Sequence, residues 1–371
     1  MRKIELSYRL QTDRAPEARI QNDLMRLLMA VRTRGSISGA ARELALSYRH
    51  VWGSLKDWEQ TLGQPLVNWE RGQAARLTPF ADKLLWTEQL AQARLAPQIE
   101  ALRAELERTL SLAYDPGAHV LSLLASHDEA LPLLQAFAAE HNRLHVDIRF
   151  CGSVEAIRAL NEGRCVMAGF HARAQPQVNS LTARTYKPLL QPGQHKIIGF
   201  ARRTQGLMVA PGNPLRIDSL KRVAQWRMRF VNRALGTGTR VLLDELLAEE
   251  GIPVSRIQGY DYEEPSHRAI AMAVASGRAD VGLGTEAVAR QVGLGFVPLT
   301  SELYHLVCLK SAIDQPPVLA LRQTLQATGW QSQLSALAGY EPFASGEVQS
   351  LRTALPWWVY PKERHPPCPA T

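Results

Sequence analysis

Cysteine is scarce. The 371-residue chain holds four, at positions 151, 165, 308 and 368, with no CxxC pair. That spacing excludes a disulfide framework and a zinc ribbon, and leaves isolated reduced thiols. Long apolar runs are missing too. No stretch reaches the roughly 18–20 residues that a membrane span needs. The opening residues, MRKIELSYRLQTDRAPEARI, carry charges and no apolar core, which argues against a secretory signal. The expectation is a cytoplasmic protein with no membrane partner. Catalytic signatures are absent as well: there is no GxSxG elbow and no GxxxxGK[ST] phosphate loop. Ser126, His127 and Asp128 have the residue types of a hydrolase triad. Neighbours at one strand end cannot line up a nucleophile, a base and an orienter, however. His141 and His145 sit four apart, but HNRLH spans a helix end and a strand start, so no metal pair is expected. No catalytic residue, metal or cofactor follows from these residues, and the chain does not read as an enzyme.

What is present is length enough for two or three domains, an ordinary 46% hydrophobic content, and a net charge of +8. The charge permits a nucleic-acid partner without proving one. Two textures divide the chain. Residues 20–110 are rich in helix formers, and Leu84, Leu85, Leu90, Leu95, Ile99, Leu102, Leu106 and Leu110 recur at helical spacing. Thr78 before Pro79 predicts the start of a long helix, Pro97 is a place for a kink, and Tyr114-Asp115-Pro116-Gly117 closes it as a turn. After Gly117, short apolar runs alternate with helical segments, which predicts parallel βαβ units in two blocks around a less regular middle, 173–205. The reading is a multidomain α+β and α/β protein. Its parts are a helix-turn-helix domain (1–78), a linker and dimerisation helix (79–115), a two-lobed α/β domain (116–358) and a flexible tail (359–371).

Residues 24–62 predict three short helices. Leu24, Leu27, Leu28 and Val31 share one face, Gly35 ends the first helix, and Ser36 and Ser47 stand as N-caps for the second and third. The third, YRHVWGSLKDWEQTLG, buries Val51, Leu55 and Trp58 and offers Tyr48, Arg49, His50, Trp52 and Lys56 outward. Such a helix enters the major groove by its N-terminal residues. Two short strands follow, a wing whose Arg71 and Arg76 suit phosphates or a minor groove. The alternative is a three-helix bundle used for protein contacts. GSISGAARELALS, SYRHVW and LTPFADKLL resemble the DNA-binding domain of LysR-type regulators and molybdate-dependent regulators. That resemblance, over about 20–110, implies a homodimer or homotetramer reading two half-sites of double-stranded DNA.

In the back half, FVNRALGTGTR (230–240) reads as strand, glycine turn and helix start, an arrangement that points free N–H groups at an anion. LLASHDEALPLL, FCGSVEAIRAL and YEEPSHRAIAMAVASGRADVGLG each place a strand end or helix start at one rim. SGRADVGLG resembles molybdate- and tungstate-binding proteins of the type 2 periplasmic-binding-protein fold, an architecture the LysR-type effector domain shares. The resemblance implies an oxyanion held by Ser126 and Ser153 from one lobe. From the other come helix starts at Thr237-Gly238-Thr239 and at Ser266-His267, while Ser153 in the first lobe is expected as the N-cap of its own helix. Asn232, Arg233, Arg240, His127 and Thr285 border the same site. A tyrosine usual after the GxADxG strand is replaced by Gly284-Thr285, and the small barrel of the molybdate regulator is missing. The two arginines and two histidines suggest a larger or more highly charged ligand, such as an anionic molybdenum-cofactor pterin. Arg240 could instead pair with Asp244 at i+4, and Glu263-Glu264 could be solvated rim residues. An organic carboxylate effector, or an anion-storage protein that does not bind DNA, are the alternative functions.

Overall fold

The computed structural model describes residues 10–12, 15–20, 22–68, 74–115, 117–175 and 177–358. Arg71, the Leu110 side chain and the tail 359–371 lie outside the described residues. A hairpin, β1 (Leu10–Thr12) and β2 (Ala15–Ile20), precedes α1 (Asn22–Arg34), α2 (Ile37–Glu43) and α3 (Tyr48–Leu62). Gly35 stops α1 at φ 61°, a left-handed backbone that favours glycine. Leu24, Leu28, Ala40, Val51 and Leu55 form the domain's core, and Trp58 and Leu62 pack half-buried on it. The wing is β3 (Val67–Asn68) paired antiparallel with β4 (Arg76–Leu77).

Helix α4 (Pro79–Tyr114) runs 36 residues and continues through Pro97. The Thr78 hydroxyl accepts the Ala81 N–H at 3.2 Å, which caps the helix. Ala81 and Leu85 belong to the N-terminal core, and Arg32 of α1 lies over the Trp86 ring at 4.1 Å. One turn on, Leu90 and Ala93 pack with Ala269 and Met272 of the C-terminal half. The helix thus enters both cores.

The rest is one large sheet with helices on its faces. In chain order the elements are β5 (His119–Ala125), α5 (Ala130–Asn142), β6 (Leu144–Phe150), α6 (Ser153–Asn161), β7 (Met167–Arg173), α7 (Leu181–Tyr186) and β8 (His195–Val209). Then come α8 (Leu220–Gln225), β9 (Phe230–Arg233), α9 (Gly238–Glu249), β10 (Glu263–Glu264), α10 (His267–Ala275), β11 (Val281–Thr285), α11 (Glu286–Val292) and β12 (Gly295–Leu309). The chain closes with α12 (Pro316–Gln326), α13 (Thr328–Ser335), β13 (Tyr340–Pro342), β14 (Val348–Ser350) and α14 (Leu351–Ala354).

Strand order is β10-β9-β11-β8-β12-β7-β5-β6. β5 pairs parallel with β6 and β7 in the first lobe, and β9 pairs parallel with β10 and β11 in the second. β8 and β12, fifteen residues each and antiparallel, run through both lobes. β11 lies on β8 at its second-lobe end, while β13 and β14 lie on its first-lobe end. The expected irregular middle is therefore corrected: it contains α7 and most of β8, from His195 to Gln205, a strand that ties the lobes together. Breaks in register at Pro298/Thr300 and Tyr304/His305 mark where β12 bends between them.

Candidate functional site

The first candidate surface is the front of α3. The Ser36 hydroxyl accepts the Gly39 N–H at 3.0 Å, and that of Ser47 accepts the His50 N–H at 3.1 Å. Both caps are made as the sequence suggests. Tyr48, Arg49, His50 and Trp52 stand exposed on the first turns of α3, and Arg76 is exposed on β4. Lys56 differs: its ammonium lies 2.6 Å from Glu59. Glu59 in turn accepts the Leu66 N–H at 2.8 Å and so fixes the wing to α3. Lys56 is thereby held as part of that brace.

The second candidate lies between the lobes. Ser126 follows β5 and Ser153 opens α6, and their hydroxyls approach to 3.4 Å. Ser153 is not the N-cap; Gly152 is, and Ser153 is the first helical residue. The reason is close packing. A Cβ at position 152 would come within 2.8 Å of the Gly236 carbonyl, so only glycine allows the two helix starts to meet. The Val154 N–H reaches that same carbonyl at 3.3 Å, a bond from one lobe to the other. Thr237 caps α9, receiving the Arg240 N–H, and a Cβ on Gly238 would lie 3.2 Å from His171 Nδ1. Thr239 Oγ1 stands 3.4 Å from His267 Nε2. Thr285, buried where β11 meets α11, has a hydroxyl with no hydrogen-bond partner among the described residues.

The charged residues divide. Arg240 bonds Glu263 at 3.0 Å, lies 3.6 Å from Asp244 and sits over the Tyr260 ring at 4.0 Å. Its charge is met there, which is the local pairing that its i+4 spacing allowed. Asn232 is also engaged, accepting the Arg233 N–H and donating to the Tyr260 carbonyl. Arg233 is otherwise. It is 2% exposed, and among the described residues its Nη1 reaches only the Glu264 carbonyl, at 3.5 Å, and its Nε has no hydrogen-bond partner. No carboxylate pairs with it among the described residues. Burial, with Arg203 nearby, lowers it to about 9. Burial, then the Arg233 and Arg203 charges, holds His267 well below its ordinary value, and burial and Arg203 do the same to His171. Both rings are neutral at pH 7.

Sequence reasoning missed the network that joins these groups. Arg203 and Gln205 share one face of β8, and Glu302 sits opposite Arg203 on β12. Arg203 Nε donates to Glu302 at 2.9 Å, and Arg203 Nη1 bonds Asp128. The Tyr340 hydroxyl also donates to Asp128, at 2.8 Å. Gln205 Nε2 donates to Glu302 at 2.9 Å and reaches Thr239 at 3.4 Å. Burial works against the Arg203 charge, but Glu302 and Asp128 outweigh it and raise the guanidinium above its ordinary value. A buried chain of polar contacts thus runs from Asp128 in one lobe, through the crossing strands, to Thr239 and His267 in the other. The signal was diluted: Arg203, Gln205 and Glu302 stand in strands that also hold Lys196, Arg202, Thr204, Thr300, Ser301 and His305.

Helix α4 closes the description. Glu264 is not a solvated rim residue; its side chain is fully buried and bonded by both arms of Arg94, at 2.8 and 2.5 Å. Ser266 caps α10 by accepting the Ala269 N–H, and its hydroxyl donates to the Ala93 carbonyl at 3.2 Å. His127 Nε2 lies 3.0 Å from Glu100. His127 and Ser266 therefore turn these side-chain atoms toward α4.

Comparison with known proteins agrees with this division. The PBP superfamily domain matches residues 134–326, and the bacterial regulatory helix-turn-helix protein, lysR family, matches residues 22–82. The uncharacterized protein YvgK of Bacillus subtilis (strain 168) is 31% identical over 200 residues, 54% of this chain and 64% of that protein. The chain thus spans less than two thirds of YvgK. The molybdenum-pterin-binding protein MopB of Rhodobacter capsulatus is 27% identical over 221 residues, 58% of this chain and 72% of that one. Among solved structures, full-length BenM aligns with a TM-score of 0.42 at 15% identity, covering 87% of this chain and 99% of its own.

Proposed function

The chain belongs to the PBP superfamily and carries a lysR-family regulatory helix-turn-helix, and we propose that a small anion held between its lobes controls its binding to DNA. That architecture is a DNA-binding regulator's and not an enzyme's. One observation carries the anion: Arg233, a guanidinium buried between strand and helix start, which no carboxylate of the described residues meets directly, Asp128 acting on it only from a distance. A buried cation is costly unless something of opposite sign meets it. Helix starts at Gly238 and His267 and the serine pair Ser126–Ser153 supply the neutral dipoles that complete such a site.

The geometry favours a compact ion. Arg240 is paired elsewhere, His267 is neutral, and His127 faces Glu100. The reasons for a bulky or highly charged ligand shrink to Arg233 alone. With MopB named for molybdenum-pterin binding, a molybdate- or tungstate-like oxyanion is the effector we favour. Genes of molybdenum uptake or molybdoenzymes are then the targets. Calorimetry of the full-length protein with molybdate, tungstate, sulfate and simple carboxylates tests this. Submicromolar binding of molybdate or tungstate supports it, and binding of a carboxylate alone overturns it.

On the DNA side, Arg49→Ala is expected to cost about 1–3 kcal/mol of operator affinity, the worth of a base-edge contact, and to leave anion binding unchanged. A gel shift at graded salt reads it; equal retardation by the variant would remove Arg49 from the interface. The stretch 31–83 carries eight Lys/Arg against five Asp/Glu, so affinity must lean on paired half-sites. Helix α4 offers a means of pairing, because Leu95, Leu102 and Leu106 are 37%, 50% and 40% exposed at helical spacing. Leu102→Glu is expected to shift the protein toward its 41.2 kDa monomer in light scattering. An unchanged mass would place the interface elsewhere.

A further inference from the structure

Three contacts gather within residues 93–100 of α4, about two helical turns. The Ala93 carbonyl accepts the Ser266 hydroxyl at 3.2 Å. Arg94 grips the buried Glu264 carboxylate with two bonds. Glu100 meets His127 at 3.0 Å. Glu264 and Ser266 belong to the second lobe, directly before the helix start at His267. His127 belongs to the first lobe, directly after Ser126. One helix therefore holds both lobes beside their meeting line.

Pro97 explains the place. It lacks an N–H, so the carbonyl four residues back, Ala93, loses its helical donor. Ser266 supplies the missing donor from the other side. The helix is open for docking at the one turn where the lobe's cap residue reaches it.

We infer that α4 is a working part of the anion site, with Arg94 and Glu100 as positioning residues for its two lobes. Arg94 fixes Glu264, whose carbonyl Arg233 reaches at 3.5 Å. Glu100 fixes the ring of His127 beside Ser126. Lobe opening about β8 and β12 must break one attachment or the other. Anion occupancy, which draws the lobes together, strengthens both. Because α4 also shares the helix-turn-helix core through Ala81 and Leu85, the state of the cleft is passed to the DNA-binding domain along one rigid element. Coupling of this kind is reciprocal: what loosens α4 weakens the anion, and the reverse. This inference rests on the anion reading above.

The test uses the full-length protein, molybdate as the probe, and hydrogen–deuterium exchange of residues 90–104. In the wild type, molybdate is expected to slow exchange there several-fold. Arg94→Ala should abolish that slowing and weaken molybdate about tenfold, a typical size for coupled sites. Arg94→Lys should recover part of both, since an ammonium still meets the carboxylate without the two-armed geometry. Unchanged exchange in β5 and β11 reports that the fold is intact. Molybdate affinity and exchange response in Arg94→Ala equal to the wild type would overturn the inference. If the wild type binds no oxyanion, the anion reading fails by itself, and the coupling is decided without ligand. Arg94→Ala, which releases α4 from the second lobe, should then speed exchange of residues 126–131 in the first lobe several-fold, and no change there would overturn the coupling.

Discussion

Replacing Arg203 with methionine destabilises the protein by about 3–5 kcal/mol, the cost of breaking a buried ion pair from one side. For a domain of this size that lowers the melting temperature by roughly 10 °C. Arg203 is 1% exposed and meets two carboxylates, Asp128 and Glu302, each almost wholly buried. Removing the guanidinium leaves two buried negative charges, with the Tyr340 hydroxyl and the Ala130 N–H still donating to Asp128 and the Gln205 amide to Glu302. The loss is therefore greater than the worth of the pairing itself. A second variant separates charge from shape. Adding Asp128→Asn and Glu302→Gln to Arg203→Met removes the uncompensated charges and is expected to recover much of the lost stability. Thermal and urea unfolding followed by circular dichroism read both. If Arg203→Met alone melts within two degrees of the wild type, by this same scale of a few degrees per kcal/mol, the network is not structural.

Arg233→Met is expected to do the opposite. Anion affinity should fall about a hundredfold, the upper end for one lost charge-assisted hydrogen bond. The ligand-free protein should melt several degrees higher. Arg233 is a buried cation whose folded value is depressed to about 9 by burial. Below pH 9 it is charged both folded and unfolded, and the burial penalty is fully present. Between about 9 and the higher range where a free guanidinium titrates, the unfolded chain holds more protons than the folded one, so stability rises with pH. The stability gap between variant and wild type should therefore narrow as pH rises above 9. A variant that is less stable and still binds molybdate normally would make Arg233 a structural residue and leave the cleft without its cation.

Much of this organisation was legible in the sequence, for reasons that differ by element. Helix starts announce themselves through short hydroxyl residues, and Ser36, Ser47, Thr78, Thr237 and Ser266 all cap the helices they precede. Ser153 broke that rule because its neighbour Gly152 was needed for contact with Gly236, a partner 84 positions away that no local pattern reveals. The crossing strands were harder to see. Arg202 and Arg203 are adjacent, and only the pleat decides that the second points inward. Until β8 is recognised as one strand, neither its face nor its partner Glu302 can be read. Glu264 looked like half of an exposed acidic pair because its counter-ion, Arg94, lies 170 residues earlier. Charge pairing over that range is a property of the folded chain and leaves no trace in spacing.

Pro97 has one more consequence. A helix of 36 residues with every internal bond made would be self-sufficient, and its neighbours could come and go without its noticing. By withholding a single donor, the proline leaves the linker unfinished until a serine from another part of the molecule completes it. Restoring the bond with Pro97→Ala would make a sounder helix in isolation and a poorer messenger, because the rod would no longer need the domain whose state it carries.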